Sequence, residues 1–354
     1  MNNMNVVLFC ENKYAIDILY PLSCYAKDEG FNVLWYTHAP KIPIEQFVWK
    51  DQFESTQSIQ DVYDFKPDVV FVPGNIVPYY LPGVKVQVFH GYAAEKKDHW
   101  IIRRYFDLYL TQGPYFTRKF SELALKYKDF EVVETGWTKQ DWIKQNINLF
   151  DTEKKELLVR HNKSSIVLYA PTFSPSLTSL PKIKKALVEL VHNEDIVLII
   201  KLHPLTKSEW VEEYKLLAKT EANIVWAEEN NVTKYQLMSD LMISDTSSTV
   251  YEFLLLNRPV ITLDTIAKDI YWTNITDVQD LSKAYHTALK DPESIQKRQW
   301  VINNYDPYMD GKVCERMFDA VKKYIVRHGV PTSRKLNIWR KYTSVKTFGR
   351  IKRY

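Results

Sequence analysis

Glycine is scarce in this chain, nine among 354 residues, and none falls in a G-x-G-x-x-G or G-x-x-x-x-G-K-[ST] pattern. Phosphate-cradling loops of the dinucleotide-binding and P-loop kinds are built on such glycines, so both are excluded. Cysteine is scarcer still. Cys10, Cys24 and Cys314 stand far apart with no C-x-x-C pair, which argues for a reduced compartment and against a zinc site. There is no H-E-x-x-H, and no strand-end Asp-x-Asp that would point to a metal-held nucleotide sugar. No metal or other cofactor is therefore expected. No apolar run approaches the roughly 20 residues that a membrane-spanning helix needs. The opening "MNNMNVVLFCENKYAID" passes from a short apolar run straight into charge, so it reads as a strand rather than a signal peptide. A formal net charge of +4 provides no overall field for nucleic acid.

What is present is apolar and regularly spaced. Hydrophobic residues make up 45% of the chain and aromatics 14%, enough for the cores of about two domains. One set of short apolar runs is "NVVLFC", "FNVLWY", "DVVFVPG", "VKVQVFHG", "DLYLTQ" and "FEVVETG". A second set is "SIVLYAPT", "DIVLIIKLHP", "NIVWA", "DLMISD" and "RPVITLD". These runs are continuous rather than alternating, as in parallel strands covered by helices on both faces. Helix-length connections between most of them imply βαβ units. The expectation is an α/β chain of two doubly wound, Rossmann-like domains meeting at a cleft near residues 145–163. Their boundaries are read as 1–150 and 151–310, followed by a packing helix at 311–330 and a basic aromatic tail at 331–354.

In such sheets, ligands bind at the carboxyl ends of strands. Four strand-end loops carry more chemistry than a turn demands. In "VQVFHGYAAEKKDHW", His90 precedes Gly91; the imidazole can accept a proton from a hydroxyl, or simply bond a neighbouring carbonyl. In "KLHPLTKSEW", Lys201, His203 and Pro204 leave the most apolar run, ahead of a helix start that suits a phosphate. In "SDLMISDTSSTVYEFLLL", Asp245, Thr246, Ser247 and Ser248 provide more polar groups than one helix cap requires. Finally, "VLYAPTFSPSL" opens a polar loop at Tyr169, Ala170, Pro171 and Thr172, and "VETGWTKQDWI" does the same with Gly136, Lys139 and Asp141.

Taken in order, these motifs resemble the CDP-glycerol glycerophosphotransferases of teichoic acid and capsule synthesis. That family's hallmarks look like "HGT..KK", "GNPR.D", "YAPT", "HP", "D.SS" followed by "P", and "DG..S.R". Here they are matched by His90-Gly91 with Lys96 and Lys97, Gly136 to Asp141, Tyr169 to Thr172, and His203-Pro204. Asp245 with Ser247 and Ser248, Pro259, and Asp310-Gly311 with Arg316 complete the set. Tyr92 stands where the family has Thr, Lys139 where it has Arg, and Cys314 where it has a small polar residue.

The resemblance implies a GT-B fold and a membrane-associated transferase. It would move glycerol phosphate, or a similar polyol phosphate, from a CDP-linked donor to a glycan or lipid-linked acceptor. His203, Ser247 and Ser248 would hold the donor phosphates, with Lys201, Thr246, Tyr169, Pro171 and Thr172 around them and Asp245 orienting groups or the ribose. His90 would be the base, with CMP leaving and His203 its partner in catalysis. Gly91, Lys96, Lys97, Lys139, Asp141 and Arg316 would face the acceptor or its phosphates. The His-Pro and paired-Ser motifs also resemble bacterial sialyltransferases, which makes a CMP-sugar glycosyltransferase the alternative. A third reading is a non-catalytic glycan-binding scaffold.

The last 21 residues carry eight Lys or Arg and no acid, mixed with Trp339, Tyr342, Phe348 and Tyr354. That composition suits an anionic membrane surface, placing the protein in the cytoplasm on the inner face of the membrane. The apolar residues recur every three positions and draw no clean helical stripe, so a flexible solvated tail is the other reading.

Overall fold

The computed structural model describes residues 4–43, 47, 49–92, 97–229 and 231–352, with the backbone alone at 97 and 98. The chain separates into two compact units. One comprises Met1–His90, Lys96–Gln145 and Asn304–Tyr354, the other Gly91–Glu95 and Asn146–Asn303.

The first unit is built on strands β1 (Asn5–Cys10), β2 (Asn32–Thr37), β3 (Glu54–Thr56), β4 (Val69–Val72), β5 (Val84–Val88), β6 (Leu108–Thr111) and β7 (Glu131–Glu134). They form one parallel sheet in the order β3-β2-β1-β4-β5-β6-β7. Helices α1 (Ala15–Asp28), α2 (Ile59–Asp64), α3 (Pro114–Tyr127) and α4 (Lys139–Gln145) lie between strands or follow the last one. Val6 to Phe9 and Val69 to Val72 are fully buried, the consequence of a sheet apolar on both faces.

The second unit opens with α5 (Asp151–His161) and continues through β8 (Ser165–Tyr169), α6 (Leu180–Asn193), β9 (Ile196–Ile200), α7 (Ser208–Thr220) and β10 (Ile224–Trp226). It goes on with α8 (Val232–Met238), β11 (Leu241–Ser244), α9 (Thr249–Leu255), β12 (Val260–Leu263), β13 (Thr273–Ile275), α10 (Leu281–Lys290) and α11 (Pro292–Tyr305). Its sheet is again wholly parallel, in the order β10-β9-β8-β11-β12-β13. Ile183, Leu187 and Leu190 of α6 and Tyr214 of α7 pack on Val167, Leu198 and Ile243 in one core.

The chain then returns to the first unit. Helix α12 (Val313–His328) buries Val313, Met317, Phe318 and Val321. The Phe318 ring lies 5.2, 5.6 and 5.1 Å from those of Tyr25, Phe31 and Phe71. The basic segment beyond it is not a loose, solvated tail. Gly83 donates to the Pro331 carbonyl at 2.8 Å, and the Arg334 guanidinium pairs with Asp107 while donating to the Arg104 carbonyl at 2.7 Å. Helix α13 (Ile338–Phe348) follows, with Asn337 capping it by accepting from the Arg340 amide at 2.9 Å. The inward stripe of α13 is Lys341, Ser344, Val345 and Phe348, with Phe348 packed on Phe9 and His38. Two of those four residues are not apolar, so hydrophobic periodicity could not reveal the stripe. Among the described residues no helix is long and apolar enough to cross a membrane.

Candidate functional site

Each sheet has one place where the direction of winding reverses: between β1 and β4 in the first unit, and between β8 and β11 in the second. Loops leaving the two adjacent strands diverge there and open a crevice at their carboxyl ends. The singled-out motifs gather at these two places.

In the first unit, the loops after β1 and β4 approach so closely that a Cβ at Gly74 would lie 2.6 Å from Glu11 Oε2. His90, two residues past β5, leans into this region. Its ring centre is 5.0 Å from that of Tyr14, which follows β1, and its Nδ1 is 3.0 Å from the carbonyl of Pro73, which follows β4. A carbonyl oxygen only accepts, so Nδ1 carries a proton, and in the neutral ring Nε2 carries the basic lone pair. The two readings of His90, carbonyl-bonded histidine and proton acceptor, are thus compatible. The residue itself is exposed, and Gly91 turns the chain at φ +153°. Trp137 Nε1 donates to the Phe89 carbonyl at 2.6 Å, and Lys139 Nζ sits 5.5 Å from the Trp137 ring centre. Lys139 is thereby placed close to the His90 segment. Lys97 begins a short 3-10 turn, Lys97–Trp100, and Lys96 lies outside the described residues.

Asp141 and Arg316 have other occupations. Asp141 is buried and accepts from the amides of Val313 and Cys314 at 2.9 and 2.8 Å, so it caps α12 rather than facing an acceptor. Arg316 forks onto Asp310 at 2.7 and 3.1 Å, donates to the Thr135 carbonyl at 2.9 Å, and lies 4.3 Å over the Tyr308 ring. That fork holds the Asp310 carboxyl below its usual range. Gly136 permits this joint, since a Cβ there would meet Val313 Cγ2 at 2.8 Å and Tyr308 Cβ at 2.9 Å. The "GWTKQD" and "DGKVCER" motifs therefore dock on each other, which spacing along the sequence did not disclose. Tyr308 and Glu134, joined by a 2.6 Å hydrogen bond, complete the joint and were not singled out.

In the second unit the loops after β8 and β11 are stitched together by Asp245. Its Oδ1 accepts from the Thr172 amide at 2.7 Å, and its Oδ2 accepts from the Ser179 amide and hydroxyl at 2.8 and 2.9 Å. Ser244 Oγ donates to the Ala170 carbonyl at 2.7 Å. Asp245 is therefore a girder of this loop rather than a group reaching for a ribose. Tyr169, expected among the donor contacts, is a core side chain whose hydroxyl bonds Ser179 Oγ at 2.9 Å. Pro171 is buried too. Ser179 itself was passed over; its place just before an apolar helical repeat was the available signal.

The hydroxyls beyond Asp245 are less committed to structure. Ser248, the N-cap residue of α9, is exposed and makes no side-chain cap. Ser247 Oγ and Thr249 Oγ1 pair at 2.8 Å, while Thr246 Oγ1 accepts from the Ile266 amide at 3.1 Å. His203 is exposed and accepts the Leu205 amide on Nδ1 at 3.1 Å, so its neutral ring carries the proton on Nε2. Partial burial, and then the charge of Lys201, lower its pKa from the ordinary value. Lys201 is largely buried, its Nζ donating to the Leu202 carbonyl at 3.0 Å, and desolvation lowers its own pKa. Among the described residues no group of three or more His, Cys, Asp or Glu side chains could hold a metal ion.

Desolvation raises the Asp245 pKa to about 6, against the pull of the Thr172, Ser179 and Thr246 donors. An unfolded aspartate titrates near 3.9. Between those values the folded state binds the extra proton, so this group's stabilising effect is full below about pH 4 and lost as pH rises through about 6. Asp245→Asn removes that dependence. Urea titrations should show the variant gaining on the native chain by about 2 kcal/mol between pH 4 and 7. A constant difference between the two would contradict the assignment.

The sequence profile described as CDP-glycerol:poly(glycerophosphate) glycerophosphotransferase matches residues 83–323. The teichoic acid ribitol-phosphate primase of Bacillus spizizenii is 25% identical over 300 residues, 73% of this chain and 74% of that protein. The teichoic acid poly(glycerol phosphate) polymerase of the same organism is 26% identical over 190 residues, 51% of this chain and 45% of its own length. Among solved structures, the wall teichoic acid polymerase TagF aligns with TM-score 0.62 at 16% identity, covering 91% of this chain and 89% of that one. That likeness shows the shared fold, the α/β class called GT-B.

Proposed function

Because the chain belongs to the CDP-glycerol:poly(glycerophosphate) glycerophosphotransferase family, a family of polyol-phosphate transferases, we propose that it takes glycerol phosphate, or a similar polyol phosphate, from a CDP-linked donor. The unit passes to a hydroxyl of a cell-surface glycan or lipid-linked acceptor. The acceptor oxygen bonds to the phosphorus that bears the polyol. The bond from that phosphorus to the bridging oxygen breaks, CMP leaves with that oxygen and its electron pair, and the hydroxyl proton goes to His90 Nε2.

The observation that carries this reading is the opposite kind of partner at Nδ1 of the two histidines, a carbonyl for His90 and an amide for His203. The Pro73 carbonyl leaves His90 with a basic Nε2, while the Leu205 amide leaves His203 with Nε2–H. One ring is prepared to take a proton, the other to donate a hydrogen bond to a phosphate oxygen. Ser247, Ser248 and the amides that start α9 suit the remaining phosphate oxygens, with Thr246, Thr172 and Lys201 behind them. Lys139 is the cation near the His90 segment that suits an acceptor phosphate; Lys96, Lys97 and Gly91 belong to the same segment of sequence. Incubation with CDP-glycerol and an acceptor should release CMP. Turnover of CMP-sialic acid or a similar CMP-sugar, with none of CDP-glycerol, would reverse the assignment.

The outward face of α13 supports a place at the inner surface of the membrane. Ile338, Trp339 and Tyr342 are 77%, 76% and 60% exposed, and Lys346 and Arg350 are exposed as well. Each cation near an anionic surface contributes about 1 kcal/mol. The protein should sediment with phosphatidylglycerol vesicles and much less with phosphatidylcholine vesicles; equal sedimentation would refute this attachment.

A further inference from the structure

Phe173 was not singled out from the sequence, yet it stands where the His203 ring is oriented. Its ring stacks on the imidazole with centres 4.4 Å apart and planes inclined by 29°. The residue is 38% exposed, so core packing does not account for the placement. It follows Thr172 directly, in the loop whose two ends Asp245 binds through the Thr172 amide and the Ser179 amide and hydroxyl. Within that loop the amides of Leu177 and Thr178 both donate to the Ser174 carbonyl, at 3.0 and 2.9 Å, so it is folded on itself. His203, on the other strand end, is held in its plane by the Leu205 amide at Nδ1. One hydrogen bond allows an imidazole to tip about the Nδ1 direction. A ring stacked on its face removes that freedom and fixes where Nε2–H points.

We propose that Phe173 is a positioning residue for the phosphate-binding imidazole, and that Asp245 acts on the same ring at one remove by pinning the loop that carries Phe173. The inference rests on the reading of His203 as a donor-phosphate ligand. It adds a specific division of labour: Asp245 sets the loop, the loop sets Phe173, and Phe173 sets His203. Aromatic pairs of this kind account for roughly a threefold to tenfold effect on an equilibrium.

The test uses the full chain with CDP as probe, reading CDP affinity by calorimetry and the His203 ring protons by NMR. In the native protein the His203 resonances should carry a ring-current displacement from Phe173. Phe173→Leu should abolish it and weaken CDP binding about threefold to tenfold, with the melting temperature unchanged because the site is half open to solvent. Phe173→Tyr should restore both. Asp245→Asn, checked for folding by circular dichroism, should move the same resonances, and its combination with Phe173→Leu should weaken binding no further than the larger single effect. If His203→Ala weakens CDP binding while Phe173→Leu leaves binding and resonances alone, this inference falls and the donor reading stands. If His203→Ala binds CDP as well as the native chain does, the donor reading fails and takes this inference with it.

Discussion

His90→Ala should lower polyol-phosphate transfer by about 10²–10⁴-fold, the usual contribution of a positioned general base. The fold should survive, because His90 is exposed and sits in the loop beyond β5 rather than in the core. The effect should fall on turnover, and CDP affinity should stay near native, since the donor's phosphates are assigned to the other unit. His90→Gln should rescue nothing. A glutamine amide can occupy the place of Nε2 but has no lone pair basic enough to take the acceptor's proton. A non-catalytic glycan-binding scaffold predicts the reverse, with the biological role intact after His90→Ala, so initial-rate measurements on this variant decide between the two.

Replacement of His203 should behave differently. Its Nε2–H is a neutral donor next to Lys201, so His203→Ala removes one hydrogen bond to charge that grows on the leaving phosphate. Loss of such a donor costs about 10²–10³-fold in rate. His203→Gln keeps an N–H near the Nε2 position and should recover a substantial part of that loss. The contrast is the informative result: glutamine partly serves at 203 and fails at 90. Equal failure at both, measured under saturating donor, would mean that His203 shuttles protons rather than donating a fixed hydrogen bond.

Much of the fold was legible because its signal is burial on two faces. Runs such as "VVLFC" and "IVLII" admit few alternatives to a parallel core strand, and each of the eleven runs quoted from the sequence coincides with an observed strand to within one residue at its end or contains it whole. The two strands without such a run, β3 and β13, are three-residue edges, "EST" and "TNI", with one open side and little to bury. The α13 stripe was hidden for a related reason. Lys341 packs its stem against Tyr79, its Nζ 5.3 Å from the ring centre, and Ser344 is buried, so a polar-looking sequence conceals a packed face.

In the candidate site, polar residues in strand-end loops drew attention to those loops, but their spacing did not disclose each side chain's partners. Asp245 and Asp141 read as ligands because a carboxylate beside hydroxyls or a lysine looks functional. Their partners are backbone amides of residues 66 to 73 and 172 to 173 positions away. A hydrogen bond to a distant amide leaves no mark in local spacing. The same limit hid Phe173, whose role depends on a histidine thirty residues further on.

The central claim is that the start of α9, with His203, grips a cytidine diphosphate group. Calorimetric titration of CDP into the native chain and into Ser247→Ala/Ser248→Ala tests it directly; Ser248 provides no side-chain cap, and circular dichroism checks that α9 survives loss of the Ser247–Thr249 hydroxyl pair. The account predicts binding to the native protein and at least about tenfold weaker binding to the double variant, the effect of losing a hydrogen bond to a charged group. Equal affinity in the two proteins, or no CDP binding by either, would contradict it.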